Sequence, residues 1–205
     1  MSVFVTENFT GTGDLASPPW TQVNIAFLQT IFKTGGFGSG SNATDIPCLW
    51  NADLFDPNQG ASCKVYNIAD ANSDYAGVVT RGTGNSTSTF SGYVFQGDRG
   101  LYKVVNGTWT LLATDPFAGT WTNGNILTLN TQGTTHSMNK AGSGTVNHTD
   151  ATLISGAVGC CINSGDGNVL IDDWSGYDIV GAQAPPPRPP GFFTVRFMRP
   201  RRVRR

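Results

Sequence analysis

SGYVFQGDRGLYKVVNGTWTLLA, residues Ser91–Ala113, contains three short runs of strand-forming residues: Tyr93–Gln96, Leu101–Val105 and Thr108–Ala113. Valine, tyrosine, threonine and tryptophan fit a pleated, half-buried surface, and the glycine, asparagine and aspartate between the runs are turn residues. Asn106-Gly107 separates the last two runs. That dipeptide accepts the positive φ angles of a type I′ turn, so Leu101–Ala113 is a hairpin.

The same pattern extends in both directions. Val3–Val5, Lys64–Ile68 and Ala76–Arg81 precede the hairpin; Asn125–Thr131, His136–Asn139, Ala157–Ile162 and Asn168–Trp174 follow it. Trp20–Phe32 is the longest apolar stretch. Its Thr, Val, Ile and Phe favour strand over helix, and Gly35-Gly36 ends it. Ten or more short strands at close spacing predict an all-β, two-sheet antiparallel sandwich of the jelly-roll kind.

The 205 residues are enough to bury a core without metal or disulfide support. Glycine supplies 26 of them and charged residues only 13%, which leaves too few helix formers for a bundle, a coiled coil or a doubly wound α/β fold. No run of about 18 apolar residues is present to cross a membrane as a helix. MSVFVTENFT lacks the basic and apolar regions of a cleavable signal, so none is expected.

Charge divides the chain. Residues 1–178 hold all fourteen Asp and Glu with six Lys and Arg, a formal −8; residues 179–205 hold seven Arg and no acid, a formal +7. Composition changes at the same place. Residues 181–205 contain APPPRPP, an extended polyproline-type segment, then FFTVRFM, which alternates like a strand, then RPRRVRR. The expected organisation is a jelly roll over 1–180 and an extended Pro/Arg-rich C-terminal arm over 181–205.

Catalytic arrangements are missing from the sequence. A glycosidase needs two carboxylates flanking the scissile bond, and the chain has one Glu, Glu7. Asp172 and Asp173 are consecutive, which points them to opposite faces of a strand. His136 and His148 lie in polar, Gly-rich sequence and read as exposed loop residues. No G-x-S-x-G elbow and no phosphate loop occurs, so no enzyme is expected. No C-x-x-C pair exists to hold structural zinc. A disulfide between Cys48 and Cys63 would close a loop, an alternative the sequence leaves open. Adjacent Cys160 and Cys161 read as buried free thiols.

Several segments, in order, resemble the concanavalin A-like lectin/glucanase jelly roll, in the form found in bacteriophage virion proteins. ENFTGTGDLASPPWTQV (7–23) is similar to the family's D-x-F-x-x-x-x-G-x-L-x-x-x-W opening. FDPNQGASCKV (55–65) and SDYAGVVTR (73–81) resemble its adjacent pair of inner strands. Ser91–Ala113 resembles its Tyr strand and L-x-K-V-x-x-G-x-x-T-x-L-A hairpin, and SGAVGCCINSGDGNVLIDDWSGYDI (155–179) its closing strands. The resemblance covers about residues 3–180. This fold hosts enzymes, lectins and structural parts alike. It implies a candidate structural Ca²⁺ where the first and last strands meet, with Glu7, Asp172 and Asp173 as oxygen ligands. No other cofactor is required.

Glycan binding calls for an exposed aromatic face beside amides or carboxylates. Trp121, in the turn-rich AGTWTNGN, is the best placed, with Trp109, Tyr93 and Tyr102 also available. Trp20, Trp50 and Trp174 fall in strand motifs and are expected in the core.

The function expected from these features is that of a non-enzymatic virion structural protein, a bacteriophage capsid-decoration (cement) or fibre subunit on the particle exterior. Arg188, Phe192, Phe193, Arg196, Phe197, Arg199, Arg201, Arg202, Arg204 and Arg205 form the assembly arm. It would dock on capsid or fibre subunits, or on further copies of the chain, by strand addition and charge. Three Phe among the Arg favour this over nucleic acid, whose phosphates call for cations alone. The alternative is a carbohydrate-binding lectin or adhesin of a cell surface or extracellular fibre, with a surface glycan as partner.

Overall fold

The computed structural model describes residues 3–15, 19–22, 31–40, 45–68, 75–164 and 168–180. The arm expected over 181–205, residues 23–30 of the long apolar stretch and Gly165–Gly167 lie outside the described residues.

Runs of alternating or continuous apolar residues between turn residues form sixteen strands among the described residues, and no helix. In chain order they are β1 (Phe4–Glu7), β2 (Gly13–Asp14), β3 (Trp20–Gln22), β4 (Ile31–Thr34), β5 (Phe37–Gly40), β6 (Ile46–Trp50), β7 (Gln59–Tyr66) and β8 (Tyr75–Thr83). There follow β9 (Ser91–Gln96), β10 (Gly100–Val105), β11 (Thr108–Thr114), β12 (Asn125–Gln132), β13 (Thr135–Lys140), β14 (Gly144–Thr149), β15 (Ala157–Asn163) and β16 (Leu170–Asp178). The expected hairpin is β10–β11, with Asn106 at φ 46° and Gly107 at φ 75° in its turn.

The strands make two antiparallel sheets that pack as a sandwich. The first runs β14-β13-β12-β7-β16-β5-β4-β2, with β1 also paired to β16; the second runs β11-β10-β9-β8-β15-β6-β3. Between them lies the main core. Leu127, Leu129, Met138, Ile171 and Trp174 of the first sheet meet Val78, Phe95, Leu101, Cys160 and Ile162 of the second. Burying each larger side chain here contributes about 1.5–3 kcal/mol. Trp20, Trp50 and Trp174 pack together, their ring centroids 4.6–5.8 Å apart, as their strand motifs predict.

The central strands of the second sheet are buried on both faces. Neighbouring residues of one strand belong to different clusters: Val78 to the main core and Val79 to a second cluster, Phe95 and Val94 likewise, and Cys160 and Cys161. A strand points successive side chains to opposite faces, so the second cluster covers the outer face of this sheet. It comprises Leu49, Val79, Phe90, Val94, Val104 and Cys161, with Tyr102, Trp109 and Ala157 packed against it. β9 is accordingly buried at all six positions. Gly77 and Gly159 lie on this face where a Cβ would overlap the carbonyl oxygens of Phe95 and Cys48.

Candidate ligand-binding face

Strand register gathers polar side chains at one end of that outer face. Asn163 ends β15 and pairs with Tyr75, the first residue of β8. Gln96 ends β9 opposite Gly77 of β8 and Gly100 of β10. Asp45 leads into β6, whose Ile46 pairs with Ile162. Arg99 lies in the β9–β10 turn. Ala76, Phe95 and Ile162 all point into the main core, so Tyr75, Gln96 and Asn163 point outward.

These groups are already oriented. The Arg99 guanidinium stacks on Tyr75, 4.4 Å from the ring centre, and lies 5.7 Å from that of Tyr102. Its Nη1 donates to Asp45 Oδ2 at 3.4 Å, with both side chains partly exposed. Asp45 Oδ1 also accepts from Gln96 Nε2 and, at 3.4 Å, from Asn163 Nδ2. Gln96 Nε2 additionally donates to Cys161 Sγ at 3.6 Å. Both amide hydrogens of Gln96 are therefore engaged. Its Oε1, on a fully buried side chain, accepts no hydrogen bond. A buried acceptor left without a donor costs about 1–3 kcal/mol.

The opposite end of the face holds an open cleft of about 600 Å³. Asn51, Asp53, Leu54 and Phe55 after β6, Gly82–Asn85 at the end of β8, and Ser155–Ala157 before β15 line it. Leu54 stands 96% exposed at its edge, and Ile154 of the 150–156 loop is 74% exposed. Asp53 Oδ2 accepts from Trp50 Nε1 at 2.8 Å. Buried Arg81 ties the flanking loops together. It donates to the carbonyls of Pro57, Leu153 and Gly133 at 2.6–3.0 Å.

The aromatic residues expected to form a sugar platform separate. Trp121 is 8% exposed: its Nε1 donates to buried Asp115, and Phe117 and Phe95 pack on its ring. The turn residues around it expose the backbone while the indole turns inward. Tyr93 is fully buried in the main core, where its hydroxyl donates to Asp150 Oδ1 at 2.6 Å. Burial and that carboxylate push its pKa up to about 12. Neither ring presents a face to a ligand. Tyr102 and Trp109 do lie on the outer face of the second sheet, half-buried and edge to face at 5.7 Å.

The residues expected to hold Ca²⁺ do not fit an ion. Glu7 accepts from Phe9 N at 2.7 Å, Trp20 Nε1 at 3.4 Å and Lys33 Nζ at 3.0 Å, so a cation already neutralises it. Asp172 Oδ1 accepts from Asp173 N, and Asp173 is paired with Lys64. A bulge with Asp173 at φ 45° breaks the strict alternation expected of consecutive strand residues, and both carboxylates lie near Lys64. No group of three His, Cys, Asp or Glu among the described residues is arranged to hold a metal.

His136 also departs from its sequence reading as an exposed loop residue. It lies on β13, fully buried, its ring centre 3.8 Å from that of Tyr93 and tilted by 39°. A carbonyl can only accept, so Nε2–H donates to Asp150 O at 3.1 Å and Nδ1 accepts from Thr131 Oγ1 at 3.0 Å. The sequence signal was the alternation of T-H-S-M-N-K, which places His136 on the same face as Met138.

No family model matches the sequence, and no curated protein matches it. Solved structures do match the fold. The carbohydrate-binding module CBM66 from Bacillus subtilis superposes with a TM-score of 0.56 at 14% identity, covering 78% of this chain and 92% of that one. The exoplasmic/lumenal domain of VIP36, bound to Ca²⁺ and Man3GlcNAc, gives 0.54 at 13% identity, covering 82% and 88%. The GH43 protein BlXynB from Bacillus licheniformis gives 0.54 at 16% identity, covering 84% of this chain and 39% of that one. The chain thus has the lectin-like jelly-roll fold.

Proposed function

We propose that this protein is a carbohydrate-binding domain of the lectin type. It holds a glycan outside the cell at one end of the outer face of its second sheet, at Asp45, Tyr75, Arg99, Tyr102 and Asn163. The observation that carries the reading is a partly exposed guanidinium, that of Arg99, held by two tyrosines and a carboxylate. A saccharide is complementary to that set. Its hydroxyls donate to Asp45 and accept from Arg99, while its C–H face lies on tyrosine. Binding modules among the structural neighbours support the class of ligand. A binding role is favoured over hydrolysis because the only Glu in the chain is held by Lys33 and two N–H donors.

The test is a glycan array followed by calorimetry on the best ligand. Arg99→Ala weakens binding at least tenfold, about 1.4 kcal/mol, and Arg99→Lys, which keeps charge without the planar fork, falls between. Asn85→Ala, in the cleft at the other end, leaves affinity unchanged. A protein that binds no neutral or acidic saccharide overturns the reading. Loss of binding in Asn85→Ala but not Arg99→Ala moves the site to the cleft.

A second reading rests on the charge division, −8 over residues 1–178 against +7 over 179–205. In it, residues 185–205 dock on acidic surface of another copy or of a capsid or fibre subunit, and the jelly roll is displayed on a virion exterior. Deleting 185–205 then abolishes a self-association that weakens with salt, as seen by light scattering at low and high ionic strength. An equally monomeric full-length chain at low salt removes the self-docking form of this reading.

A further inference from the structure

We infer that Cys48 and Cys160 are a redox-convertible pair that closes a cross-strand disulfide between β6 and β15. The inference rests on strand register and does not depend on the glycan reading.

Cys48 and Cys160 are direct partners in the antiparallel β6–β15 ladder. Opposed residues in such a ladder have Cα atoms about 4.5–5.5 Å apart, inside the roughly 4.4–6.8 Å range of disulfides. Both side chains point the same way, into the main core. All four cysteines are free and buried in this structure. The other two are not placed to compete. Cys161 points to the opposite face of its own sheet, where it accepts from Gln96. Cys63 faces Cys160 from β7 of the other sheet and its thiol feels that of Cys160, but packed sheets lie about 10 Å apart, beyond the roughly 6.8 Å that a disulfide spans between Cα atoms. The loop closure between Cys48 and Cys63 that the sequence leaves open thus has a better-placed rival.

Burial holds the Cys160 thiol well above its ordinary pKa, and the nearby Cys48 thiol adds to this. The folded pair is therefore slow to react, and bond formation requires β6 to open. Its other neighbour, β3, is only three residues long, so this seam is lightly held on one side.

The oxidant is a small-molecule disulfide such as oxidised glutathione. The Cys160 thiolate attacks it and releases one glutathione thiolate, leaving a mixed disulfide. The Cys48 thiolate then attacks the Cys160 sulfur and releases the second glutathione. Two protein thiols become one disulfide, the oxidant is reduced to two thiols, and the two protons end on glutathione.

The bond would act on both ends of the outer face. β6 follows Asp45 and precedes Asn51; β15 ends in Asn163 and begins at Ala157. A covalent link midway along both strands fixes the separation of Asp45 from Asn163 and of the cleft walls.

The test uses the full chain, incubated folded with oxidised glutathione, and in parallel opened in urea and returned to buffer with it. Peptide mapping without reductant is expected to find one disulfide, Cys48–Cys160, forming faster in the urea arm. Cys63 and Cys161 remain titratable in denaturant. The oxidised protein melts roughly 10 °C above the reduced one, because closing so long a loop restrains the unfolded chain. Cys48→Ser prevents the bond and Cys63→Ser does not. Four free thiols in both arms, or a map showing Cys48–Cys63 or Cys160–Cys161 instead, overturns the inference. The unmodified chain alone is sufficient to decide it, so a variant that fails to fold does not matter.

Discussion

Arg81→Met lowers stability by about 3 kcal/mol and loosens three loops together. Arg81 is 3% exposed and occupies a bulge of β8 at φ 52°. Its backbone N–H donates to Gln59 Oε1 at 2.9 Å. Its guanidinium makes four hydrogen bonds to the carbonyls of Pro57, Leu153 and Gly133, at 2.6–3.0 Å. Met fills the same volume and supplies none of these donors. Each such bond to a charged group contributes about 1.5–3 kcal/mol. The full sum is not lost. Met avoids the desolvation that lowers the pKa of the buried guanidinium, and Pro57 and Gly133 are exposed enough for water to reach their carbonyls. Arg81→Lys falls between, since one ammonium cannot span three carbonyls. Urea unfolding measures the loss, and amide exchange should accelerate around residues 55–58, 132–134 and 151–156. A Met variant within 0.5 kcal/mol of the parent would show that these loops hold themselves.

Acidification from pH 6.5 to 4 removes about 3 kcal/mol of stability through His136 alone. Burial pushes its pKa down to about 4, against 6.5 in the unfolded chain. In that window the unfolded state binds a proton that the folded state refuses, so stability falls as pH falls and the His136 contribution levels off below about 4. The folded chain holds the neutral tautomer, satisfied on both nitrogens. Thr131 donates to Nδ1 and is itself 2.8 Å from Thr80 Oγ1. Protonating Nδ1 would require the Thr131 hydroxyl to turn and accept instead of donate. The charges and titratable groups around it come from four further elements: Tyr93 on β9, Arg81 on β8, His148 opposite on β14, and Asp150 with its partner Lys103. Asp150 deepens the loss below pH 4. Although burial disfavours its charge, hydrogen bonds from Lys103, Tyr93 and Thr152 hold its pKa below the usual carboxylate range. His136→Gln should flatten the profile between pH 6.5 and 4 while keeping the acid limb. An unchanged profile would assign the dependence elsewhere.

The sandwich was legible in the sequence because turn chemistry and period-two alternation are local. Asn106-Gly107 specified a hairpin without reference to anything distant, and Asn125–Thr131 alternated as β12 does. Strands without that signature escaped. β6 carries Pro47, β5 is half glycine, and β14 is exposed and polar; each is a strand because of its neighbours. The tryptophans at 20, 50 and 174 were placed correctly because strand motifs bury one face. Trp121 was not, since turn residues report on backbone and not on where a side chain is drawn. Its indole goes inward because Asp115, six residues earlier, offers an acceptor within the core.

Sequence alone therefore determined the class of fold and the acidic polarity of the body, both of which depend on composition and near neighbours. Only the tertiary structure decided which residues share a face. Asp45, Gln96, Arg99 and Asn163 span more than a hundred positions of sequence, and register between β6, β15, β8 and β9 brings them together. The same register opposes Cys48 to Cys160 and encloses Arg81 and His136. In a sheet, a side chain's surroundings are set by partner strands distant in the chain, and a single sequence carries no record of that pairing.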